Sequence, residues 1–270
     1  MLKKTSAYLD TININISVDM VPDPKKFLMH THRRYELYFF VGGIASFYVE
    51  GRNYPLKNGD IMVMNSTESH CIAVAPDAPY ERYVIHFERE AITSVDPTGE
   101  LLAVFENRGL GEFNQYRRKD FDSGNYLIFL ENIFKDSPNR ELQIKTNLFA
   151  LLNELNNAFR YKKKSEVPDN ETQIQQIIRF INNNLGGSLS LEELCSTFYL
   201  SKPQLCKSFK EHTGCTVWNY ITTKRMLAAQ KEIENGLSAT KIYSNYGYSD
   251  YSAFYRAYKK FFGCSPKGIS

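Results

Sequence analysis

Residues 205 to 216 recur, in chemistry and in spacing, 49 positions further along the chain. Leu205 corresponds to Phe254, Phe209 to Tyr258, Lys210 to Lys259, Gly214 to Gly263, Cys215 to Cys264 and Thr216 to Ser265. Six matches at one offset indicate a supersecondary unit used twice. The C-terminal hundred residues must therefore fold as two copies of something small, and the residues around the matches say what it is.

Each copy reads as a helix-turn-helix. In the first, Ser190-Leu191-Glu192-Glu193 has the form of a capping box, and Leu191, Leu194 and Phe198 give the short helix after it one apolar face. Tyr199-Leu200 supplies the turn. Ser201-Lys202-Pro203-Gln204 opens a second helix, with Pro203 tolerated in its first turn. Leu205 and Phe209 anchor that helix inward, and Gly214 ends it in a left-handed position. In the second copy Ser238 is the expected cap and Ile242 and Tyr246 the core positions. Tyr248-Ser249-Asp250 starts the second helix, Phe254, Tyr258 and Phe261 face inward, and Gly263 closes it. Val217 to Asn235 contains no helix breaker and predicts one long connecting helix. Two helix pairs held on such a rod suit successive major-groove faces of duplex DNA, about 34 Å apart. Charge agrees: residues 171–270 hold 12 Lys and Arg against 7 Asp and Glu, whereas residues 1–170 hold 21 against 23. A basic end on a slightly acidic remainder points to a polyanion partner for that end.

The run from Tyr243 through Gly247-Tyr248-Ser249-Asp250, Phe254, Arg256, Tyr258-Lys259-Lys260, Gly263 and Ser265-Pro266 resembles the DNA-binding domain of AraC/XylS-type bacterial transcription regulators, and the likeness extends from about Ile174 to Ile269. The resemblance implies base-reading positions at Pro203, Cys206 and Lys207 in the first copy and at Tyr251, Ser252, Tyr255 and Arg256 in the second. Lys202, Gln204 and Lys259 complete the expected contact set, and Lys202, Lys207, Lys210, Lys259 and Lys260 are expected mostly to neutralise phosphates. Arg256 has the fork that grips guanine O6 and N7. Pro203 and Cys206 depart from the hydrogen-bonding or aromatic residues common at their positions, so the first reading helix is expected to lean on phosphates rather than bases.

The rest of the chain carries a different period. At 270 residues there is room for two domains. Tyr35 to Val41, Ala45 to Glu50, Asp60 to Asn65, Cys71 to Ala75 and Tyr80 to Glu88 are short runs rich in Tyr, Phe, Val and Ile, broken by turn residues such as Gly42-Gly43 and Asn58-Gly59. Residues from about 8 to 115 therefore read as a β sandwich or small barrel. Leu127, Leu130 and Phe134, then Ile144, Leu148, Leu151, Leu152, Leu155 and Phe159, switch to helical spacing, with Pro138 between them. The expected organisation is a cupin-like jelly-roll β-barrel at 1–120, helices at 121–161 whose stripe either packs on the barrel, as amphipathic helices ordinarily do, or forms a homodimer contact on family analogy, a polar linker at 162–172, and an all-α double helix-turn-helix domain at 173–270. The longest apolar runs fall far short of the ~20 residues of a membrane helix, and no signal peptide is visible. Five cysteines without CxxC spacing read as reduced thiols. A cytoplasmic location without membrane contact follows as the expectation.

His30-Thr31-His32, Glu36 and Gly43 match the HxHx3Ex6G spacing of the first cupin motif, and Gly59-Asp60 with His70 stand for the second, with Asn65-Ser66-Thr67 in place of its usual Pro and Gly. The resemblance implies that His30, His32, Glu36 and His70 line a pocket, and Arg33 and Arg34 beside the histidines, with Tyr38, Tyr48, Arg82 and His86 on neighbouring strands, are expected to complete a polar cavity. The reading adopted is a small-molecule effector, such as a sugar, with no cofactor and no metal. A divalent ion on His30, His32, Glu36 and His70 stays open as the alternative. No catalytic triad, P-loop or dinucleotide fingerprint is present. The expected function is an effector-responsive regulator that binds double-stranded DNA and engages RNA polymerase as an activator. Its rivals are a metal-dependent cupin enzyme and a DNA-binding regulator indifferent to effectors.

Overall fold

The computed structural model describes residues 5–23, 27, 29–165 and 171–266. The chain divides into two compact units, residues 1–169 and 170–270.

Among the described residues the first unit has nine strands: β1 (Thr5–Tyr8), β2 (Ile12–Asp19), β3 (Tyr35–Gly42), β4 (Ala45–Val49), β5 (Arg52–Pro55), β6 (Ile61–Met64), β7 (His70–Val74), β8 (Tyr80–Phe87) and β9 (Gln115–Tyr116). They form a six-stranded sheet in the order β1-β2-β8-β3-β6-β9 and a three-stranded sheet in the order β5-β4-β7, antiparallel throughout. Side chains alternate across a strand, so the larger sheet has two inner faces. Leu37, Val63, Ile85 and Phe87 point to one side and Tyr38, Phe40, Met62 and Met64 to the other. The second set meets Phe47, Val49, Ile72 and Val74 of the smaller sheet, which gives the sandwich its interior.

The first set packs on helices. Among them are α1 (Arg89–Thr93), α2 (Ala103–Glu106), α3 (Asn125–Phe134) and α4 (Arg140–Ser165). Three expectations are corrected here. Residues 89–106 are not β: α1, α2 and a 3-10 turn at Glu100–Leu102 stand there, the last two held by Asn156, whose side chain accepts from Val104 N (2.7 Å) and donates to Leu101 O (2.9 Å). The stripe Ile144, Leu148, Leu151, Leu152, Leu155 and Phe159 is no dimer face, because all six are buried in the core shared with the sheet. Segment 121–161 is thus part of the first unit rather than a separate layer. Finally, α4 runs through Ser165, four residues into the expected linker, with Lys162 and Lys163 donating to Gln115 O (2.8 Å) and Asn107 O (2.7 Å). Linker residues 166–170, like 1–4 of the barrel segment and 267–270 of the helical domain, lie outside the described residues.

The second unit contains α5 (Gln173–Asn183), α6 (Leu191–Phe198), α7 (Lys202–Thr213), α8 (Val217–Glu234), α9 (Ala239–Ile242) and α10 (Tyr251–Phe262). α7 and α10 each span 12 residues and are offset by 49 at both ends. Ser201 caps the first, its hydroxyl accepting from Gln204 N while Gln204 Oε1 accepts from Ser201 N (3.1 Å). Asp250 caps the second through Ala253 N (2.8 Å). Gly214 and Gly263 close the helices at the same left-handed φ of 73°, where a side chain would be strained. Leu205, Phe209, Phe254 and Tyr258 are buried. At α6 the Ser190 hydroxyl accepts from Glu193 N (3.0 Å), the serine half of the expected box. Three details of the second copy differ from expectation. Ser238 makes no capping bond, and α9 gives way to a 3-10 turn at Tyr243–Tyr246. Phe261 is exposed, and it is Phe262 that packs on Tyr258, at 4.5 Å between ring centroids. One more residue per 3.6-residue turn moves a side chain by 100°, enough to exchange the two.

Candidate functional site

Two places concentrate chemistry, one outside the second unit and one inside the first. On α7, with Leu205 and Phe209 facing in, Lys202, Pro203, Gln204, Cys206 and Lys207 are all exposed. On α10, Ser252, Arg256 and Lys259 are exposed, and Tyr251 and Tyr255 are half-buried. Tyr251 lies beside Tyr243 (6.2 Å), Phe254 (6.4 Å) and Tyr255 (6.1 Å), so part of its surface is committed to packing and its outer edge is what a partner could touch. Gln204 has its amide oxygen tied into the α7 cap, which leaves the amide nitrogen for any base contact. Lys202 Nζ stands 3.5 Å from Glu192, both well exposed, a pairing too weak to hold the lysine from a phosphate.

In the first unit the strand registers gather the other set. Glu36, Tyr38 and Phe40 on β3 lie opposite His86, Val84 and Arg82 on β8, and β2 adds Asn13 beside His86 and Ser17 beside Arg82. His30 reaches the group through a backbone bridge to His70, each N–H donating to the other's carbonyl at 3.0 Å. One carboxylate oxygen is the focus. Glu36 Oε2 lies 2.6 Å from His32 Nε2, 3.1 Å from His86 Nε2 and 3.4 Å from His70 Nε2. The other nitrogens of His32 and His70 are fixed by carbonyls, Nδ1 of His32 donating to Arg34 O (2.7 Å) and Nδ1 of His70 to Glu68 O (3.0 Å). Burial opposes a charge on Glu36, yet the imidazoles around it hold its carboxyl well below the usual range. Burial likewise opposes a charge on His70, and Glu36 beside it raises its pKa all the same.

His70 Nε2 is buried without a hydrogen-bond partner and stands 3.4 Å from Glu36 Oε2. An imidazole with Nδ1 tied down and Nε2 aimed at a carboxylate is the arrangement that orients a metal ligand, and ligand atoms of His30, His32, Glu36 and His70 lie within 4.8 Å of one another. The residues present thus fit a divalent ion, as they fit added protons.

The remaining expected pocket residues fall elsewhere. Tyr38 is a core residue whose hydroxyl meets that of Tyr80, and burial pushes both phenols above their usual range. Arg82 binds Asp19 (2.7 Å) and lies over the Tyr80 ring at 4.4 Å. Arg34 faces a surface cleft of about 640 Å³ that also includes His32, Arg33 and Arg89, and there it donates twice to Glu88 Oε1 (3.0 and 2.8 Å). These residues therefore form a histidine–carboxylate cluster, a Tyr–Arg–Asp group and a rim arginine instead of one ring. Asp19 and Tyr80 were not among them, although the alternation from Ile12 to Asp19 marks a strand whose polar face carries Asp19.

A wholly buried ion pair lies behind His70. Glu68 accepts from Arg108 (2.6 and 2.8 Å), Asn65 N (2.8 Å), Gly111 N (2.7 Å) and Asn114 (3.0 Å). Burial alone would raise its carboxyl, but Arg108 and these donors hold it below its usual value. No sequence pattern announces this pair, since its members are 40 residues apart on loops.

Comparison with known proteins agrees with the two-unit organisation. The helix-turn-helix domain model matches residues 194–269 and the AraC-like ligand binding domain model residues 23–101. The Msm operon regulatory protein of Streptococcus mutans is 25% identical over 267 residues, 95% of this chain and 93% of that one. The HTH-type transcriptional activator RhaR of an Enterobacter species is 22% identical over 268 residues, 98% and 94%. Among solved structures, ToxT from Vibrio cholerae aligns with a TM-score of 0.41 at 14% identity, over 95% of this chain and 97% of that one.

Proposed function

From the premise that this chain belongs to the AraC/XylS-type transcription regulators, with a ligand-binding unit and a helix-turn-helix DNA-binding unit, we propose that α7 and α10 together read one face of a duplex while the sandwich interior senses a small polar molecule. The observation that carries the first half is the matched pair: two helices capped at equivalent positions, with buried anchors and terminal glycines at the same offset, and with the expected contact residues exposed or half-exposed. Arg256 reads guanine in the major groove, and Lys207 and Lys259 bind phosphates. For the second half, His32, His86, Arg82 and Asp19 remain partly open to solvent inside the sandwich, and donors and acceptors beside aromatic rings suit a sugar. A divalent ion held by His30, His32, Glu36 and His70 would add positive charge for an effector oxygen.

Binding shifts a pre-existing equilibrium between states that differ in DNA affinity. The regulator acts as a homodimer in the cytoplasm and as an activator in contact with RNA polymerase. With the α4 stripe used in the core, dimer contact falls to the outer sides of α3 and α4, where Ile128 and Leu142 are exposed. No helix among the described residues is long and apolar enough to cross a membrane.

The test joins two measurements on the full chain. Selection from random duplexes should return one preferred sequence, and a thermal-shift screen of sugars and small acids, with and without a chelator, should find a stabilising compound. Ligand at a hundredfold over its Kd stabilises by about 2.7 kcal/mol. Duplex binding with no stabilising compound would favour the effector-indifferent regulator, stabilisation by metal alone the metal-dependent reading, and a monomeric mass by light scattering at micromolar concentration would remove the dimer.

A further inference from the structure

The residue that joins the two helix-turn-helix copies is on neither reading helix. Arg225 sits midway along α8 and is buried. Its Nε donates to Leu185 O (3.0 Å) and its Nη2 to Gly187 O (2.6 Å), carbonyls of the loop that joins α5 to α6 and so leads into the first copy. The other side of the same guanidinium lies under Gly247, in the turn before α10 of the second copy. A Cβ added there would stand 2.4 Å from Arg225 Nη1 and 2.8 Å from Cζ, and Gly247 has the left-handed φ of 77°. The loop and the turn also approach each other directly, since a Cβ on Gly186 would stand 3.1 Å from Asn245 O.

A guanidinium removed from water is retained at a cost unless its N–H groups are satisfied. Here satisfaction requires the approach to the first copy to hold one position, and the close packing of Gly247 on the same group seats the turn of the second copy against it. The helix α8 alone fixes only the order of the copies; a rod touched by both at its middle fixes their separation and phase.

We infer that Arg225, seated against Gly247, is a positioning residue that sets the spacing between the two DNA subsites the chain accepts. The inference rests on the reading that α7 and α10 both engage one duplex. Arg225 makes no base contact in this role: it decides where the Arg256 face stands relative to the Lys207 face. An extra base pair between subsites displaces the second by about 3.4 Å and turns it by about a tenth of a helical turn, which a clamped pair cannot follow and a loosened pair can.

The experiment uses the full chain and the duplex selected by it. Binding is compared on that duplex, on the same duplex with one base pair inserted between the subsites, and on a duplex that keeps only the α10 subsite. The parent should lose about thirtyfold on the insertion. Arg225→Met should bind the native spacing more weakly, discriminate between the spacings by less than about threefold, and match the parent on the single subsite within about twofold. Gly247→Ala, which pushes the guanidinium from the other side, should move the same ratio the same way. Two results would overturn the proposal: both variants keeping the parent's spacing ratio, or both losing single-subsite binding in parallel with the native site. Loss of helical circular dichroism in both variants also counts against it, because the contact would then serve folding and not spacing. A parent that ignores every duplex removes the DNA reading and this inference with it.

Discussion

The two reading helices and the sandwich unit handle polar chemistry in opposite ways. On the helices the apolar residues are consumed by anchors such as Leu205, Phe209, Phe254 and Tyr258, and the polar residues on the outer sides of α7 and α10 stand in water. In the sandwich unit Glu36, Glu68 and His70 are themselves buried and are sustained by one another and by Arg108. The difference teaches where a substitution will be felt. A polar side chain on the helical surface has little to do with folding and much with affinity; a polar side chain in the sandwich must first be part of a stable interior before it can meet a ligand.

The largest effect separating the units is expected at Arg108. Arg108→Met leaves Glu68 buried with its charge unmatched, and breaking such a pair costs about 3–5 kcal/mol. Denaturant unfolding of the full chain should show the sandwich transition moved by that order while the helical one stays in place. Equal movement of both, or of neither, would dissolve the contrast. Because Glu68 O holds His70 Nδ1, the same change should also weaken any effector or metal response.

A smaller, pH-dependent effect follows from Glu68 itself. Its carboxyl has a folded-state pKa below the ordinary value of 4.5. A depressed carboxylate stabilises the fold above its unfolded pKa, and that contribution disappears as pH falls through the folded value. Glu68→Gln should therefore be less stable than the parent at neutral pH, and the gap should close as pH drops below about 4.5. A gap that stays constant to about pH 3 would mean that Glu68 acts through shape rather than charge. Arg108 is the cation facing it, with Tyr54 and His70 also within electrostatic reach, and Tyr54 and His70 keep their protons throughout that window.

On the helical side the effects shift from stability to recognition. Arg256→Ala should leave thermal unfolding within about 0.5 kcal/mol of the parent, as exposed substitutions do. It should remove about 1–3 kcal/mol of discrimination at one base pair. The measurement is affinity for the selected duplex against duplexes altered one position at a time. A uniform loss at every position would reassign Arg256 to the phosphates.

Legibility in the sequence follows the same division. The helical unit could be read almost residue by residue because its signals are local: a Ser or Asp cap, an apolar pair four apart and a glycine 13 residues after the cap specify α7 and α10 without knowledge of distant residues. Where local signals were ambiguous the reading slipped, as between Phe261 and Phe262, which differ only in how far the last turn winds. The sandwich was legible as strands and as a histidine motif, since HxH and Glu36 lie close together. The rest depended on register. That His86 comes opposite Glu36, that Arg82 meets Asp19, and that Arg108 reaches back 40 residues to Glu68 are consequences of strand pairing and loop closure. The α4 stripe shows the remaining limit: its period reveals that one face is buried, but whether by a sheet or by a second chain is decided by what else in the molecule lacks cover.

The smallest predicted effect is also the most diagnostic of the outer surface. Lys259 is exposed near the C-terminal end of α10, four residues after Tyr255 and three after Arg256, so it flanks the expected reading face rather than occupying it. If it neutralises one phosphate, Lys259→Ala releases one counterion fewer on binding, and the slope of log affinity against log salt should fall by about 0.9 for B-form DNA. The loss should be the same on the selected duplex and on random duplex, since a phosphate contact carries no sequence information. Arg256→Ala makes the opposite demand, a changed sequence ratio from a residue one turn away. A single salt titration of the two variants on two duplexes therefore asks whether α10 is laid along the groove with its exposed side divided between bases and backbone. A sequence-dependent loss at Lys259, or an unchanged slope, would mean that the helix enters the groove at another angle than its exposed residues suggest.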